Sequence, residues 1–292
     1  MSAEESSARL AWRVTEPLHA MIYFAPEAFG RFAELGLSPI EGYFASRGGV
    51  FGVTGPGPII ATFYNFNPRL VRRAVPAIWE RTTPAAALAA QMDAAGEALR
   101  RGLGDETVAG PEVAEAAELA GRAAEGACEF PQGRPLFAAH IGMPWPDEPH
   151  LRLFHAQRLL REFRGDGHVS ALLQAGISGV ESNVLQVTAG RSPRVFLQTT
   201  RGWRDEDWDA AVDSLRTRGW VDAESLTDAG RDKLAELEAV TDRLAEPGWA
   251  VLTEAERLRL AELTRPLSRT IVKAGLLDPM NLVKAARGTA GE

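Results

Sequence analysis

The sequence contains one cysteine, Cys128, so it cannot form an internal disulfide or a zinc site built on several cysteines. No activating motif surrounds that thiol, and it reads as unreactive. Lysine is almost as scarce, with only Lys233, Lys273 and Lys284, and the net charge is −7. An acidic balance removes the electrostatic footprint that usually announces a nucleic-acid-binding protein, although it does not forbid that partner. No apolar run approaches the roughly 18 residues that span a bilayer, so no membrane partner is expected. The polar, acidic start MSAEESSARL is not a secretory signal, and a cytoplasmic location is expected. Also missing are a Gly-rich phosphate loop, a Gly-x-Ser-x-Gly elbow and a His-Glu-x-x-His pair. Enzyme classes with strong local motifs are therefore disfavoured, and the sequence names no cofactor.

What is present is an ordinary globular composition: 292 residues, 45% hydrophobic and 24% charged, enough for two domains or one large one. Heavy use of arginine and alanine fits a GC-rich genome. An internal repeat organises the chain. In the first half, Pro17-Leu18-His19-Ala20 precedes Phe32-Ala33-Glu34-Leu35-Gly36-Leu37-Ser38-Pro39-Ile40-Glu41. In the second, Leu153-Phe154-His155-Ala156 precedes Leu172-Leu173-Gln174-Ala175-Gly176-Ile177-Ser178-Gly179-Val180-Glu181. Gly36 and Gly176 suit helix C-termini, and Ser38 and Ser178 suit the N-caps that follow.

The pattern predicts strand, turn and strand around Gly55-Pro56-Gly57-Pro58 and Ile59–Tyr64. A helix from Asn67-Pro68 through Trp79 follows, with Pro76 expected to bend or interrupt it. The Ala-, Glu- and Gly-rich stretch 105–133 reads as a surface helix and a link, and the prolines from Pro131 to Pro149 as an extended connector. Farther on, Asp205-Glu206-Asp207 opens a helix with Trp208, Ala211, Val212 and Leu215 inward, and Gly219 ends it. Residues Trp220 to Thr227 predict a short hairpin, and a helix then runs through Leu244. Thr253 and Glu256 form a capping box for a last helix that could pack across the domain or form a homodimer. The expected fold is mainly α with small β-hairpin wings, as two tandem winged-helix-like halves from an internal duplication. The division is 1–104, a helical and Pro-rich connector 105–149, and 150–292.

The stretch Leu215-Arg216-Thr217-Arg218-Gly219-Trp220-Val221-Asp222, with Leu226-Thr227-Asp228-Ala229-Gly230-Arg231, resembles the recognition helix, wing and next helix of MarR-like winged-helix proteins. The whole chain also resembles a poorly characterised actinobacterial helix-turn-helix-like family. That resemblance rests on Glu16–Ala20, Tyr43–Arg47, Thr62–Pro68, Arg164–His168 and Thr200-Arg201-Gly202-Trp203. It implies a fold and no settled activity.

Three functions compete. A DNA-binding regulator fits the fold, but its recognition segment carries Asp205, Glu206, Asp207, Asp209 and Asp213 against Arg204, Arg216 and Arg218, and phosphates need cations. Arg69, Arg72 and Arg73 are a small counterweight. The favoured function is binding, and in a stronger form transforming, a small aromatic or hydrophobic molecule in a pocket between the halves. In Arg164-Gly165-Asp166-Gly167-His168 the glycines would let the backbone turn tightly, and Asp166 could orient His168 as a catalytic acid–base pair. The plainer reading makes Asp166 a helix cap and Arg164 a salt-bridge partner. His19, Tyr23, Arg47, Tyr64, His155 and Arg164 are the candidate ligand-binding groups. Arg164 or Arg47 would hold an anionic substituent, and His19 with its repeat partner His155 would face one cavity. Both histidines, and the aromatic set around Tyr64, read equally as core. A metal or haem site is the third option. Glu16 and His19 have a metal-ligand spacing, but Arg152 stands where the second copy needs a carboxylate, so no metal is expected.

Overall fold

The computed structural model describes residues 5–223 and 225–288. Residues 1–4 of the acidic start and Glu224 of the expected hairpin lie outside the described residues. The first helices are α1 (Ser7–Thr15), α2 (Pro17–Ala20), α3 (Pro26–Glu34), α4 (Pro39–Gly48), α5 (Pro56–Thr62), α6 (Pro68–Arg81) and α7 (Pro84–Leu103). Next come α8 (Asp105–Val108), α9 (Pro111–Ala127), α10 (Pro135–His140) and α11 (Pro149–Gln174). The rest is α12 (Gly179–Thr188), α13 (Arg194–Arg201), α14 (Asp205–Thr217), β1 (Val221–Asp222), β2 (Ser225–Leu226), α15 (Asp228–Trp249), α16 (Glu254–Lys273) and α17 (Pro279–Gly288).

Proline does much of the punctuation. It stands first in α2 to α7, α9 to α11 and α17, where its fixed φ suits the helix and its missing N–H is not needed. This corrects the expected strand–turn–strand: Gly55 is the extended N-cap of a helix, with Pro56 at its first position. Pro58 also falls in the first turn, so neither proline breaks a hydrogen bond. The α6 helix continues through Pro76 without interruption. Pro76 and Arg72 are both exposed there, so water can satisfy the freed Arg72 carbonyl.

The two stretches that share a pattern adopt the same local geometry. Gly36 and Gly176 have φ of 71° and 62°. Ser38 and Ser178 begin α4 and α12 with complete capping boxes to Glu41 and Glu181. One arginine then locks each turn. Arg81 donates to the Gly36 carbonyl at 2.7 Å and pairs with Glu41 at 2.6 Å. Arg218 donates to the Gly176 carbonyl at 2.9 Å and pairs with Glu181 at 3.1 Å.

The main core draws on side chains from Ala8 to Leu276 and crosses both expected boundaries, 104 and 149. In it α1 packs on α16, so the last long helix packs within the chain. A second core lies under the α12–α14 unit and takes in Leu282 and Val283 of α17. The hairpin pairs Val221 with Leu226 and Asp222 with Ser225. The α9 helix is not a surface helix. It packs on α11, α15 and α16 through a buried face of Val113, Ala116, Ala117, Ala120, Ala124 and Ala127. Small side chains there let neighbouring backbones approach closely, so that a Cβ on Gly248 would stand 2.9 Å from that of Ala127.

The α12–α14 unit meets the main core along Tyr64–Asn67, between α5 and α6. Tyr64 donates its hydroxyl to the Ile177 carbonyl, and both Asn183 Nδ2 and Trp203 Nε1 donate to the Asn65 carbonyl, each at 2.9 Å. The Asn67 amide donates to the Arg201 carbonyl at 2.8 Å. Gly179 admits this contact, because a Cβ there would lie 2.0 Å from the Tyr64 carbonyl oxygen. Gly179→Ala is expected to lower stability by about 1–3 kcal/mol through overpacking. Gly57→Ala, with nothing within 4 Å, is expected to stay within about 0.5 kcal/mol. Urea unfolding of both variants checks this, and an unchanged Gly179→Ala midpoint would contradict it.

Candidate functional site

Two adjoining cavities of about 310 and 280 Å³ lie along α11. Arg47, Arg161, Glu162, Gly165 and His168 line both. The first cavity adds Arg9 and Trp12 of α1, Glu16, Arg164, and Glu238 and Thr241 of α15. The second adds Tyr43, Phe63, Tyr64, Asn65, Asp166, Ser182, Asn183, Gln186 and Arg201. Together they make one polar cleft beside an otherwise apolar core.

The cleft is organised by α11, which runs unbroken from Pro149 to Gln174. The tight turn expected at Gly165 and Gly167 therefore does not form. On the buried side of α11, Arg158, Glu162 and Asp166 follow one another at four-residue spacing. Glu162 receives Arg47 as a two-point pair, Nε at 3.0 Å and Nη2 at 2.6 Å. Burial alone would raise the Glu162 carboxyl, but Arg47, His140 and Arg161 hold it down at about 2. Arg47 also donates to the Tyr43 hydroxyl and lies 4.7 Å from the Phe63 ring centroid. Arg161 pairs with Glu16. Arg164 lies over Trp12 and pairs with Asp242 at 2.7 Å and Glu238 at 3.0 Å, and Arg9 joins the same two carboxylates.

Asp166 and His168 are not an acid–base pair. Two residues apart on a helix, they point to different neighbours. Asp166 accepts from the Phe137 amide at 2.9 Å, capping the start of α10, and burial pushes its carboxyl up to about 6. His168 Nδ1 lies 3.0 Å from the Thr241 hydroxyl, which donates to the Leu237 carbonyl. In the tautomer with its proton on Nδ1, His168 donates to that hydroxyl and leaves Nε2 as an acceptor. Burial lowers the affinity of His168 for a second proton.

The cleft thus brings together Arg47, Tyr64, Arg164, Asp166 and His168 of the expected residues. It leaves out His19, Tyr23 and His155. His19 stacks on Phe154 at 4.7 Å, and His155 meets Trp145 edge-on at 4.7 Å. All four of their ring nitrogens, and the Tyr23 hydroxyl, are buried without a partner. The two histidines line neither cavity and so do not face a common one. Glu16 is engaged by Arg161 and is not a partner for His19. Among the described residues, no three His, Cys, Asp or Glu side chains converge as a metal site requires. Sequence reasoning passed over Arg161, Glu162, Arg201 and the open space at Gly165. A signal for the first two was available: α11 carries charge on the side that an ordinary amphipathic helix would make apolar.

The buried histidines set a pH dependence. Burial lowers His140 to about 4 and His155 to about 3, from 6.5. Below pH 6.5 the unfolded chain binds protons that the folded chain does not, so stability falls as the pH drops toward these values. Each histidine costs up to about 1.4 kcal/mol per pH unit in that window. Asp166, raised from 3.8 to about 6, acts in the opposite sense between those values and offsets part of the loss. Urea midpoints between pH 7 and 5 are expected to fall, and less steeply for His155→Leu. An identical slope in that variant would contradict the assignment.

No curated protein and no solved structure matches the chain. Among the described residues, no helix is long and apolar enough to cross a membrane. A family model described as a helix-turn-helix family matches residues 8–278. The match takes in α1 to α16, both capped turns and every residue of the cleft, and the chain belongs to this helix-turn-helix family.

Proposed function

We propose that the cleft between the halves binds a small aromatic or hydrophobic molecule, and that the halves arose by internal duplication. Gly165 carries the binding reading. It lies in the middle of a 26-residue helix, where glycine costs about 1 kcal/mol relative to alanine. No packing explains it, since a Cβ there would have only Glu162 Oε2 nearby, at 3.8 Å. By contrast, a Cβ on Gly167 would come within 2.9 Å of Arg134 and 3.1 Å of Leu244. Gly165 lines both cavities, and its missing side chain leaves open space at the wall they share. The paired Ser–Glu–Arg locks after Gly36 and Gly176 support the duplication. With Asp166 and His168 apart, the geometry supports binding without an acid–base pair.

Thermal unfolding against a panel of aromatic acids, amides and amines tests this reading. At least one compound is expected to raise the melting temperature by mass action. Gly165→Phe, which fills the cleft, is expected to remove that shift while leaving the ligand-free melting temperature unchanged. A panel without effect, or a shift that survives in Gly165→Phe, would contradict it.

The family description favours a second reading, DNA binding, and one observation tells where it would act. The exposed face of α14 carries Asp205, Glu206, Asp209 and Asp213, which would repel phosphates. Its counterpart in the first half, α6, exposes Arg69, Arg72 and Arg73. If the protein binds duplex DNA, fluorescence anisotropy is expected to show salt-sensitive affinity that falls at least about tenfold on replacing those three arginines with alanine. Replacing Asp209 and Asp213 with alanine would leave it intact. Affinity indifferent to the α6 arginines rules out this docking face.

A further inference from the structure

Arg201, at the end of α13, lines the second cavity. Its guanidinium lies over the Phe66 ring at 4.4 Å and within 5.5 Å of the Phe196 centroid and 5.9 Å of the Tyr43 centroid. Its one side-chain hydrogen bond runs from Nη1 to the Thr200 hydroxyl at 3.1 Å, and its Nε is buried without a partner. The other arginines lining the cleft each hold a carboxylate: Arg9 and Arg164 share Glu238 and Asp242, Arg47 has Glu162, and Arg161 has Glu16. Among the described residues, no carboxylate lies within 4 Å of Arg201. Burial lowers its hold on the proton, and the like charges of Arg47 and Arg161 act in the same direction.

Arg201 is half-buried, and a cation drawn partly out of water without a counter-ion is costly to fold around. Stacking on Phe66 recovers part of that cost but leaves guanidinium donors unused. The surroundings limit what could complete the site. Tyr43 and Phe63 offer aromatic surface to the same cavity, and Asn183, whose Nδ2 is committed to Asn65, keeps an acceptor oxygen. The cavity of about 280 Å³ sits at the small end of ligand pockets, the size of a ring with a short arm. A guanidinium presents a two-pronged fork that matches a carboxylate.

We infer that the second cavity binds an aryl carboxylate, its carboxylate held by Arg201 and its ring set against Tyr43 and Phe63. This rests on the cleft being a binding site. It shifts the anion-holding role from Arg47 and Arg164, which already have carboxylate partners, to Arg201.

The test is isothermal titration of the full chain with benzoate, phenylacetate and indole-3-acetate, with the three corresponding amides and with inorganic phosphate. At least one acid is expected to bind, its amide about 10- to 100-fold more weakly, and phosphate not at all. Arg201→Met is expected to lose acid binding, and Arg201→Lys to keep a weak remnant. The ligand-free melting temperature of Arg201→Met is expected to equal or exceed that of the native chain, because the half-buried guanidinium it removes holds no carboxylate. Amides that bind as well as the acids, with binding lost in Gly165→Phe, overturn the carboxylate assignment and leave the cleft reading standing. Phosphate binding without the aryl acids overturns the aryl assignment. No binding by any probe overturns both readings. A marked fall in the Arg201→Met melting temperature makes Arg201 a structural residue and overturns the inference.

Discussion

The hydrogen bonds along Tyr64–Asn67 tie the α12–α14 unit to the main core and so set the shape of the second cavity. Four of them, from Tyr64, Asn183, Trp203 and the Asn67 amide, fix this segment against α12 and α13. The same segment supplies one wall of the second cavity and then runs directly into α6. Its geometry depends on Gly179, where backbone meets backbone without a side chain between them. A shift of this seam would move Tyr64, Asn183 and Arg201 together, so the second cavity is a property of this joint.

The second constraint is the charge carried by α11. A helix packed against α9, α10 and α15 would ordinarily bury only apolar side chains, yet this one buries Arg158, Glu162 and Asp166 beside Phe154, Leu159 and Phe163. Each is satisfied by a partner on another element: Gln91 on α7, Arg47 on α4 and the Phe137 amide on α10. Removing Arg47 would leave the Glu162 carboxylate charged and dry, which costs more than the pair contributes. The arrangement fixes the relative positions of four helices and leaves a polar cleft beside an apolar core.

Local structure was legible wherever a residue acts on its immediate neighbours. Ser38 and Ser178 cap as expected, Gly36 and Gly176 turn the chain, and Thr227 and Thr253 begin α15 and α16. The failures were of two kinds. Gly55-Pro56-Gly57-Pro58 and Gly165-Asp166-Gly167 looked like turns, because glycine and proline break helices inside but are tolerated at a helix start or where packing compensates. The alanines of α9 looked like surface residues, because a small-residue contact carries no large apolar signal. Of the site, Arg47, Tyr64, Arg164, Asp166 and His168 were picked out as residues, but their pairings were not. Which arginine faces a carboxylate depends on contacts as distant in sequence as Arg47 and Glu162. Arg201 stood within a segment already singled out, Thr200–Trp203, with nothing in the local pattern to show that its charge is unpaired.

The most direct test is a crystal structure of the protein grown or soaked with phenylacetate. The account predicts density for the ligand in the cleft beside Gly165, its carboxylate within hydrogen-bond distance of Arg201. Ordered water alone in the cleft, with phenylacetate bound elsewhere or not at all, would contradict it.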